Sequence, residues 1–200
     1  MSAALAPGFT DPVFDSQSVF RAVLSALSRP GLPAPLAAAL APPAPLTPEL
    51  AAVALALADP DAPLWLDRSL SRIPAVAAYL RFHTGAPIVS NPADAAFALV
   101  ADPSQAPSFG ELATGDDLYP DRSTTLVVAV ASFTGGMPIR LRGPGIRQDV
   151  TVSASPLPDC FVDSIRANAA TFPRGIDCLL VSGGQVVGIP RSSRVVEEAA

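Results

Sequence analysis

The sequence contains no lysine, and all 13 of its basic residues are arginine. Because a Schiff base needs a primary amine on a side chain, pyridoxal phosphate held covalently by this chain and lysine acid–base chemistry are both excluded. Histidine is also scarce, with His83 the single example. One histidine and two cysteines do not make a zinc-type ligand cluster, and there is no Cys-x-x-Cys motif. We therefore predict no metal site and no bound cofactor.

The cysteine content and the net charge also indicate the cellular compartment and exclude some classes of binding partner. Cys160 and Cys178 fall in apolar segments, so we expect two small buried residues in a reducing compartment. A formal charge of −5 argues against binding to nucleic acid, whose phosphates attract basic proteins. The N-terminus lacks the pattern of a signal peptide, and the most apolar window, 50–58, is too short to span a bilayer. These features predict a cytoplasmic protein that binds neither membranes nor nucleic acid.

Hydrophobic spacing predicts four helices. The first covers 16–28, with Asp15 as its N-cap and Phe14 packed against Val19. The second begins at Thr47-Pro48, where the missing amide of proline has no cost. A third helix, capped by Ser71, runs to about residue 85, and a fourth covers 159–170.

Short strands occupy most of the remaining sequence. The most apolar run, 126–133, is typical of a central buried strand. Gly135-Gly136 is predicted to join it in a hairpin to 139–142, and Gly183-Gly184 to join 176–181 to 185–189 in another. The other predicted strands cover 63–66, 86–90, 95–101 and 149–153. Helices interleaved with strands and hairpins predict an α/β fold with a mixed sheet.

Residues 30–48 contain seven prolines. Such a stretch is either a disordered linker or an ordered strap across the core, and its apolar residues favour the strap. The expected anchors are Leu32, Leu36, Leu40 and Leu46. No domain boundary is apparent, so the chain is predicted to form one domain over 1–200.

A search for catalytic motifs identifies no reaction. The sequence lacks the phosphate-binding, dinucleotide-binding, serine-hydrolase and zinc-protease motifs, and Gly143-Pro144-Gly145 is predicted to be a turn. Asp116-Asp117 is more typical of an exposed loop than of a metal site. We assign no catalytic residue on these grounds.

Two groups of basic residues have alternative interpretations. Arg81 and His83, at the end of the third helix, either bind an anion or complement the helix dipole and cap its last carbonyls. Arg191 and Arg194, separated by Ser192-Ser193, either hold a phosphate or form a solvated tail or a partner-docking strip. The sequence leaves both choices open.

Five segments resemble one family. Residues 9–31, FTDPVFDSQSVFRAVLSALSRPG, are similar to the opening pattern P-V-x-D-x-Q-x-x-F-R, followed by P-G, of the PhnH family, the H subunit of carbon–phosphorus lyase. Arg21 is the arginine of that pattern. Further similar segments follow in family order, namely LRFHTGAP at 80–87, GPGI at 143–146, FPRGID at 172–177 and GIPRSS at 188–193. Arg174 and Ser192-Ser193 depart slightly from the pattern.

The resemblance implies a three-layer α/β/α fold with a mixed sheet, similar to the pyridoxal-phosphate-dependent transferases but lacking the cofactor lysine. It implies a homodimer in isolation and a complex with the G, I and J subunits. It further implies an accessory role, with the G, I and L proteins, in making ribose 1-phosphonate 5-triphosphate from ATP and an alkylphosphonate. The resemblance also implies that a separate radical subunit, J, later breaks the carbon–phosphorus bond.

Two other roles remain open beside the accessory one. Arg81 and His83 would position a phosphonate or triphosphate if the chain contributes directly to catalysis. Alternatively, the chain is a small-molecule binding module with a vestigial cofactor cleft. The candidate anion-binding or interface residues are Arg21, Arg81, His83 and Arg191.

Overall fold

A computed structural model describes residues 5–37, 39–158 and 160–196. The helices are α1 (Pro12–Ser28), α2 (Pro48–Leu57), α3 (Arg68–Ser71), α4 (Pro74–Thr84) and α5 (Phe161–Ala170). The strands are β1 (Pro33–Pro35), β2 (Leu64–Leu66), β3 (Ile88–Val89), β4 (Phe97–Val100), β5 (Thr125–Ala129), β6 (Ile139–Arg142), β7 (Val150–Val152), β8 (Asp177–Ser182), β9 (Gln185–Ile189) and β10 (Arg194–Val195). Within the described ranges, none of the helices is both long and apolar enough to cross a bilayer.

A seven-stranded sheet forms the centre of the fold, in the order β1-β9-β8-β5-β4-β2-β3. The neighbouring strands β3, β2, β4, β5 and β8 run parallel to one another. Strand β9 is antiparallel to both of its neighbours, β8 and β1. The α/β class with a mixed sheet is therefore confirmed. The apolar run at 126–133 supplies most of β5, which is the fourth of the seven strands. Its side chains are buried on both faces of the sheet, as predicted for a central strand.

One predicted hairpin is confirmed and the other is wrong. Gly183 and Gly184, both with positive φ, join β8 to β9 in a two-residue turn, as expected of a type I′ hairpin. In contrast, β6 does not pair with β5 but lies in a second sheet of order β10-β6-β7. Gly136 instead lies against the segment after β7, where its N–H donates to the carbonyl oxygen of Ser153 at 3.0 Å and an added Cβ would clash with the carbonyl oxygen of Ala154.

Two buried clusters cover opposite faces of the main sheet. On one face α1, α2 and α4 pack against side chains such as Leu66, Val127 and Leu179. On the other face the small sheet and α5 pack against Leu126 and Leu180, among others. The second outer layer therefore combines a helix with a three-stranded sheet, rather than helices alone.

The first helix begins earlier than predicted. Asp11 is its N-cap, because Oδ1 of Asp11 accepts hydrogen bonds from the backbone N–H groups of Val13 and Phe14, both at 3.1 Å. Asp15 lies within the helix and accepts from the N–H of Asp11 at 3.0 Å. The prediction of Asp15 as N-cap is wrong because Pro12 is well tolerated at the first helical position. Phe14 is 70% exposed, so the predicted packing against Val19 is also wrong.

The region around Ser71 also differs from the prediction. Ser71 ends the short helix α3, and α4 begins at Pro74 with Ile73 as its N-cap. The predicted start of the second helix is confirmed, because the side chain of Thr47 caps α2 by accepting from the N–H of Leu50 at 3.2 Å.

The described part of the proline-rich segment, residues 30–37 and 39–48, contributes an edge strand and buried side chains to the core. Its residues 33–35 form the edge strand β1, which pairs with β9, a position where proline is tolerated. Leu36, Leu40 and Leu46 are buried as expected. Leu32 is 51% exposed, so its prediction as an anchor is wrong.

Candidate functional site

Asp67 fills the position at the carboxyl ends of the parallel strands β2 and β4, where α/β proteins commonly bind ligands. Its fully buried carboxylate accepts from the Ser69 hydroxyl at 2.7 Å and from the N–H groups of Leu70, Ala101 and Asp102 at 2.8–2.9 Å. These bonds tie the ends of the two strands together. Sequence reasoning missed Asp67, because its partners at 101 and 102 are distant in the chain.

Asp102, next to this junction, accepts its own local hydrogen bonds. Its carboxylate accepts from the Ser104 hydroxyl at 2.7 Å, from the Ser104 N–H at 3.0 Å and from the side-chain amide of Gln105 at 2.5 Å. The hydrogen bond from the Ser104 side chain, and then that from Gln105, lower the pKa of Asp102. The same hydrogen bonds hold the turn that follows β4.

Arg191 lies in a network of part-buried polar groups, not in a solvated tail as one sequence interpretation had it. Its Nε and Nη2 donate to the two carboxylate oxygens of Asp177 at 3.2 and 2.5 Å. The same guanidinium donates to the carbonyl oxygen of Pro120 and to the hydroxyl of Ser123. The arrangement fixes the loop before β5 against the start of β8, which leaves Arg191 few donors for a ligand.

Arg81 and His83 both lie in the last turn of α4, as predicted. His83 is half-buried, and its Nε2 lies 3.0 Å from the carbonyl oxygen of Ala6. An added Cβ at Gly8 would lie 2.7 Å from Nδ1 of His83, so the N-terminal segment packs directly on the ring. The geometry favours a role for His83 in holding that segment, while Arg81 is exposed.

Arg21 lies on the exposed side of α1, beside an apolar stripe. Val13, Phe20 and Leu24 are 71%, 51% and 56% exposed, and their spacing places them along one side of the helix. We call these three residues the α1 face. Exposed apolar residues grouped in this way are typical of protein contact surfaces.

The four candidates are thus not brought together. Arg81 and His83 share the end of α4, whereas Arg21 belongs to α1 and Arg191 follows β9. Both α1 and α4 pack against α2, on one face of the sheet. These positions do not form a single anion site.

A different set of arginines does converge, on the second outer layer. β6 presents Arg140 and Arg142 to solvent, β10 presents Arg194, and α5 presents Arg166. We call these four residues the arginine face. Asp149 accepts from Nε of Arg142 at 2.7 Å and from Nη2 of Arg140 at 3.0 Å. The hydrogen bond from Arg142 lowers the pKa of Asp149, and Asp149 in turn raises the pKa of Arg142.

The cysteines and the paired aspartates do not form a metal centre. Cys178 is buried as predicted, and desolvation raises the pKa of its thiol; Cys160 is exposed, so its predicted burial is wrong. Asp116 accepts from two N–H groups of its own loop, and Asp117 pairs with Arg174 at 3.3 Å. Across residues 5–37, 39–158 and 160–196, no three His, Cys, Asp or Glu side chains group as metal ligands would.

Comparison with known proteins identifies the family. The family model described as "Bacterial phosphonate metabolism protein (PhnH)" matches residues 7–196. The chain belongs to the PhnH family. A curated relative from Rhizobium meliloti (strain 1021), "Alpha-D-ribose 1-methylphosphonate 5-triphosphate synthase subunit PhnH", is 44% identical over 190 residues, covering 95% of this chain and 94% of the relative.

A second curated relative is more distant. The "Putative C-P lyase subunit protein HtxG" of Stutzerimonas stutzeri is 33% identical over 76 residues, which cover 38% of this chain and 39% of that protein. The resemblance to the PhnH family found in residues 9–31 and four later segments is therefore confirmed.

Proposed function

We propose that the chain is an accessory subunit of alpha-D-ribose 1-methylphosphonate 5-triphosphate synthase, in the carbon–phosphorus lyase pathway. The observation that carries the proposal is the 44% identity to a subunit of that enzyme across 95% of the chain. In this role the chain acts with the G, I and L proteins to make ribose 1-phosphonate 5-triphosphate from ATP and an alkylphosphonate. Its setting is cytoplasmic, and its likeness in fold to the pyridoxal-phosphate-dependent transferases belongs to the same proposal.

The G, I and J subunits are the proposed partners in a larger complex, and the isolated chain is proposed to form a homodimer. We assign the α1 face to a neighbouring subunit of the complex, with Arg21 beside it as a charged rim. An exposed apolar stripe flanked by an arginine supports this assignment, since interfaces combine an apolar centre with a polar rim.

Co-expression tests the accessory role. The chain is expected to co-purify with the G, I and J subunits, and omitting it should abolish conversion of ATP and methylphosphonate once the L protein is added. Normal turnover without the chain would contradict the proposal. A complex that assembles without the chain but stays inactive would favour a direct catalytic contribution by the chain, and Arg81→Ala and His83→Ala would then test these two residues.

A matched pair of substitutions tests the α1 face. Phe20→Glu is expected to reduce co-purification strongly, because it places a charge in an apolar contact. Leu118→Glu is the control, since Leu118 is an 85% exposed apolar residue in the loop before β5 and is not part of the α1 face. The α1 face could be covered either by a neighbouring subunit or by a second copy of this chain, and light scattering of the isolated variant distinguishes the two. Loss of the homodimer with an intact complex would contradict the assignment to a neighbouring subunit.

The small-molecule binding module is the second candidate. It is favoured by a cleft that adjoins the arginine face, because the lining of that cleft combines guanidinium groups with an exposed aromatic ring. A chain that assembles with partner subunits can also bind a small molecule. Ligand binding and subunit assembly are therefore tested by separate experiments.

A further inference from the structure

We propose that the cleft between β6, β10 and the end of α5 binds a phosphate-bearing small anion of the nucleoside triphosphate class, a choice of ligand that rests on the proposed function. The cleft has a volume of about 320 Å³ and is lined by Arg142, Arg194, Ser192 and Phe172, together with Gly143, Pro144 and Ala169. An adjoining cavity of about 430 Å³ shares Ala169, Phe172 and Arg194 and adds Arg166 to the lining. Volumes of this size are typical of ligand pockets.

The register of the small sheet places two like charges directly opposite each other. Arg194 of β10 pairs with Arg142 of β6 across the antiparallel ladder, and both are exposed. Like charges at directly opposite positions destabilise a sheet. A bound anion between the two guanidinium groups would turn this repulsion into attraction.

The carboxylate nearby does not balance these charges. Asp149 already accepts from Nε and Nη2 of Arg142, at 2.7 and 3.0 Å, and from Arg140. Arg194 belongs to the β10–β6 ladder through its backbone, but its side chain makes no hydrogen bond or ion pair with any residue that the structure describes. The donors of Arg194 and the remaining ones of Arg142 are therefore uncommitted within the described residues, beside a cleft whose lining is mostly apolar, and their planar geometry suits phosphoryl oxygens.

Charge is concentrated here against the overall balance of the chain. The net charge is −5, yet the arginine face and the neighbouring Arg147 contribute five of the 13 arginines. Among the residues that the structure describes, two carboxylates pair with them, Asp149 with Arg140 and Arg142, and Asp163 with Arg166. A local excess of positive charge attracts anions and raises their concentration at the surface.

The rest of the lining suits the apolar part of such a ligand. The ring of Phe172 is 60% exposed, and Ala169 continues the apolar wall from α5. The hydroxyl of Ser192 adds a neutral donor and acceptor to the same lining. Phosphates on the arginines with a base or sugar against Phe172 would use both halves of the cleft, which favours a nucleotide over inorganic phosphate.

Calorimetric titration of the full-length isolated chain at low ionic strength tests the site, with ATP, inorganic triphosphate and adenosine as probes. ATP should bind more tightly than triphosphate, and adenosine should bind weakly or not at all. Arg194→Gln should weaken ATP binding at least about tenfold, the effect expected of a lost charge-assisted hydrogen bond. The control Arg72→Gln, which changes an exposed arginine of the segment between α3 and α4, should leave affinity unchanged.

Phe172→Ala separates the two halves of the cleft, because it should weaken ATP binding while leaving triphosphate binding intact. Glu197 and Glu198 follow β10 and lie outside the described residues, so the double variant Glu197→Gln/Glu198→Gln is titrated as well. Absence of ATP and triphosphate binding in both the unmodified chain and this variant would overturn the proposal. Equal affinity in the Arg194→Gln and Arg72→Gln variants would do the same. Binding is measured without partners, so the outcome is independent of subunit assembly.

Discussion

Arg191, two residues beyond β9, binds Asp177, the first residue of β8. Its guanidinium donates to both carboxylate oxygens of Asp177, and its backbone N–H donates to Oδ1 of the same carboxylate at 2.8 Å. The two side chains are only 15% and 21% exposed. Because the same guanidinium donates to Pro120 and Ser123, it joins three separate segments at the end of the main sheet where β5 and β8 begin. The pair therefore has a structural role, whichever ligand or partner the protein binds.

Replacing Arg191 by alanine should lower the free energy of unfolding by roughly 3 kcal/mol. This is the low end of the cost of breaking a buried ion pair, because both side chains keep some exposure. Urea unfolding followed by circular dichroism measures the change. Arg81→Ala is the matched control and should change stability by less than about 0.5 kcal/mol, since Arg81 is exposed.

A double variant completes this test. If Arg191→Ala acts by leaving Asp177 unpaired, Asp177→Asn should cost much less in the Arg191→Ala background than in the unmodified chain. Simple additivity of the two changes would show that the ion pair does not stabilise the fold.

The helices and the central sheet were predictable because their signals are local. The apolar run that forms β5 and the Gly183-Gly184 turn depend on neighbouring residues. The start of α1 was misplaced because Asp11 and Asp15 are both acidic residues able to cap a helix. Gly135-Gly136 resembles a hairpin turn in sequence, but the chain there crosses between two layers, which only tertiary packing decides.

The candidate site was much less predictable. Arg194 and Arg142 lie 52 positions apart in the sequence, and their pairing follows from a strand register that no local pattern encodes. Asp67 likewise bonds to residues 34 and 35 positions away. The sequence did indicate Arg191 and Arg194 as a group, but their side chains separate, one into the Asp177 network and the other onto the arginine face.

Gly188 in β9 is expected to resist substitution. An added Cβ would lie 2.7 Å from the carbonyl carbon and oxygen of Ala26, and backbone atoms cannot move aside cheaply. Gly188→Ala should therefore lower the free energy of unfolding by about 1–3 kcal/mol, the usual cost of overpacking. The control Gly110→Ala has no atom within 4 Å of the added methyl group and should leave stability unchanged or slightly higher.

Thermal unfolding of the two glycine variants provides the measurement. Equal midpoints would mean that α1 does not pack as closely on β9 as the structure shows.

The two cysteines should react with thiol reagents at very different rates. Cys160 is exposed, whereas Cys178 is buried with its pKa raised by desolvation and by the charge of Asp177. Because the thiolate is the reactive form, a disulfide reagent should label about one thiol quickly in the native chain and both after denaturation. Cys160→Ser should remove the fast phase, and Cys178→Ser should retain it. Two fast native phases would contradict the burial of Cys178.

Stability should fall in acid, in part through Asp149. The hydrogen bond from Arg142 lowers the pKa of the folded carboxyl below its ordinary value near 4. A lowered folded-state pKa contributes stability that is present above the unfolded pKa and is lost as the pH falls through the folded one. The difference in unfolding free energy between pH 7 and pH 3 should therefore be smaller in Asp149→Asn than in the unmodified chain.

Arg142→Gln should reduce the same pH dependence, because it removes the main partner of the carboxylate. Raising the salt concentration should weaken the effect in the unmodified chain, since exposed ion pairs are screened. Urea midpoints measured from pH 7 to pH 3 in all three proteins provide the comparison. If both variants lost stability in acid as steeply as the unmodified chain, the ion pair would contribute nothing, and Arg142 would be held at the cleft by its strand alone.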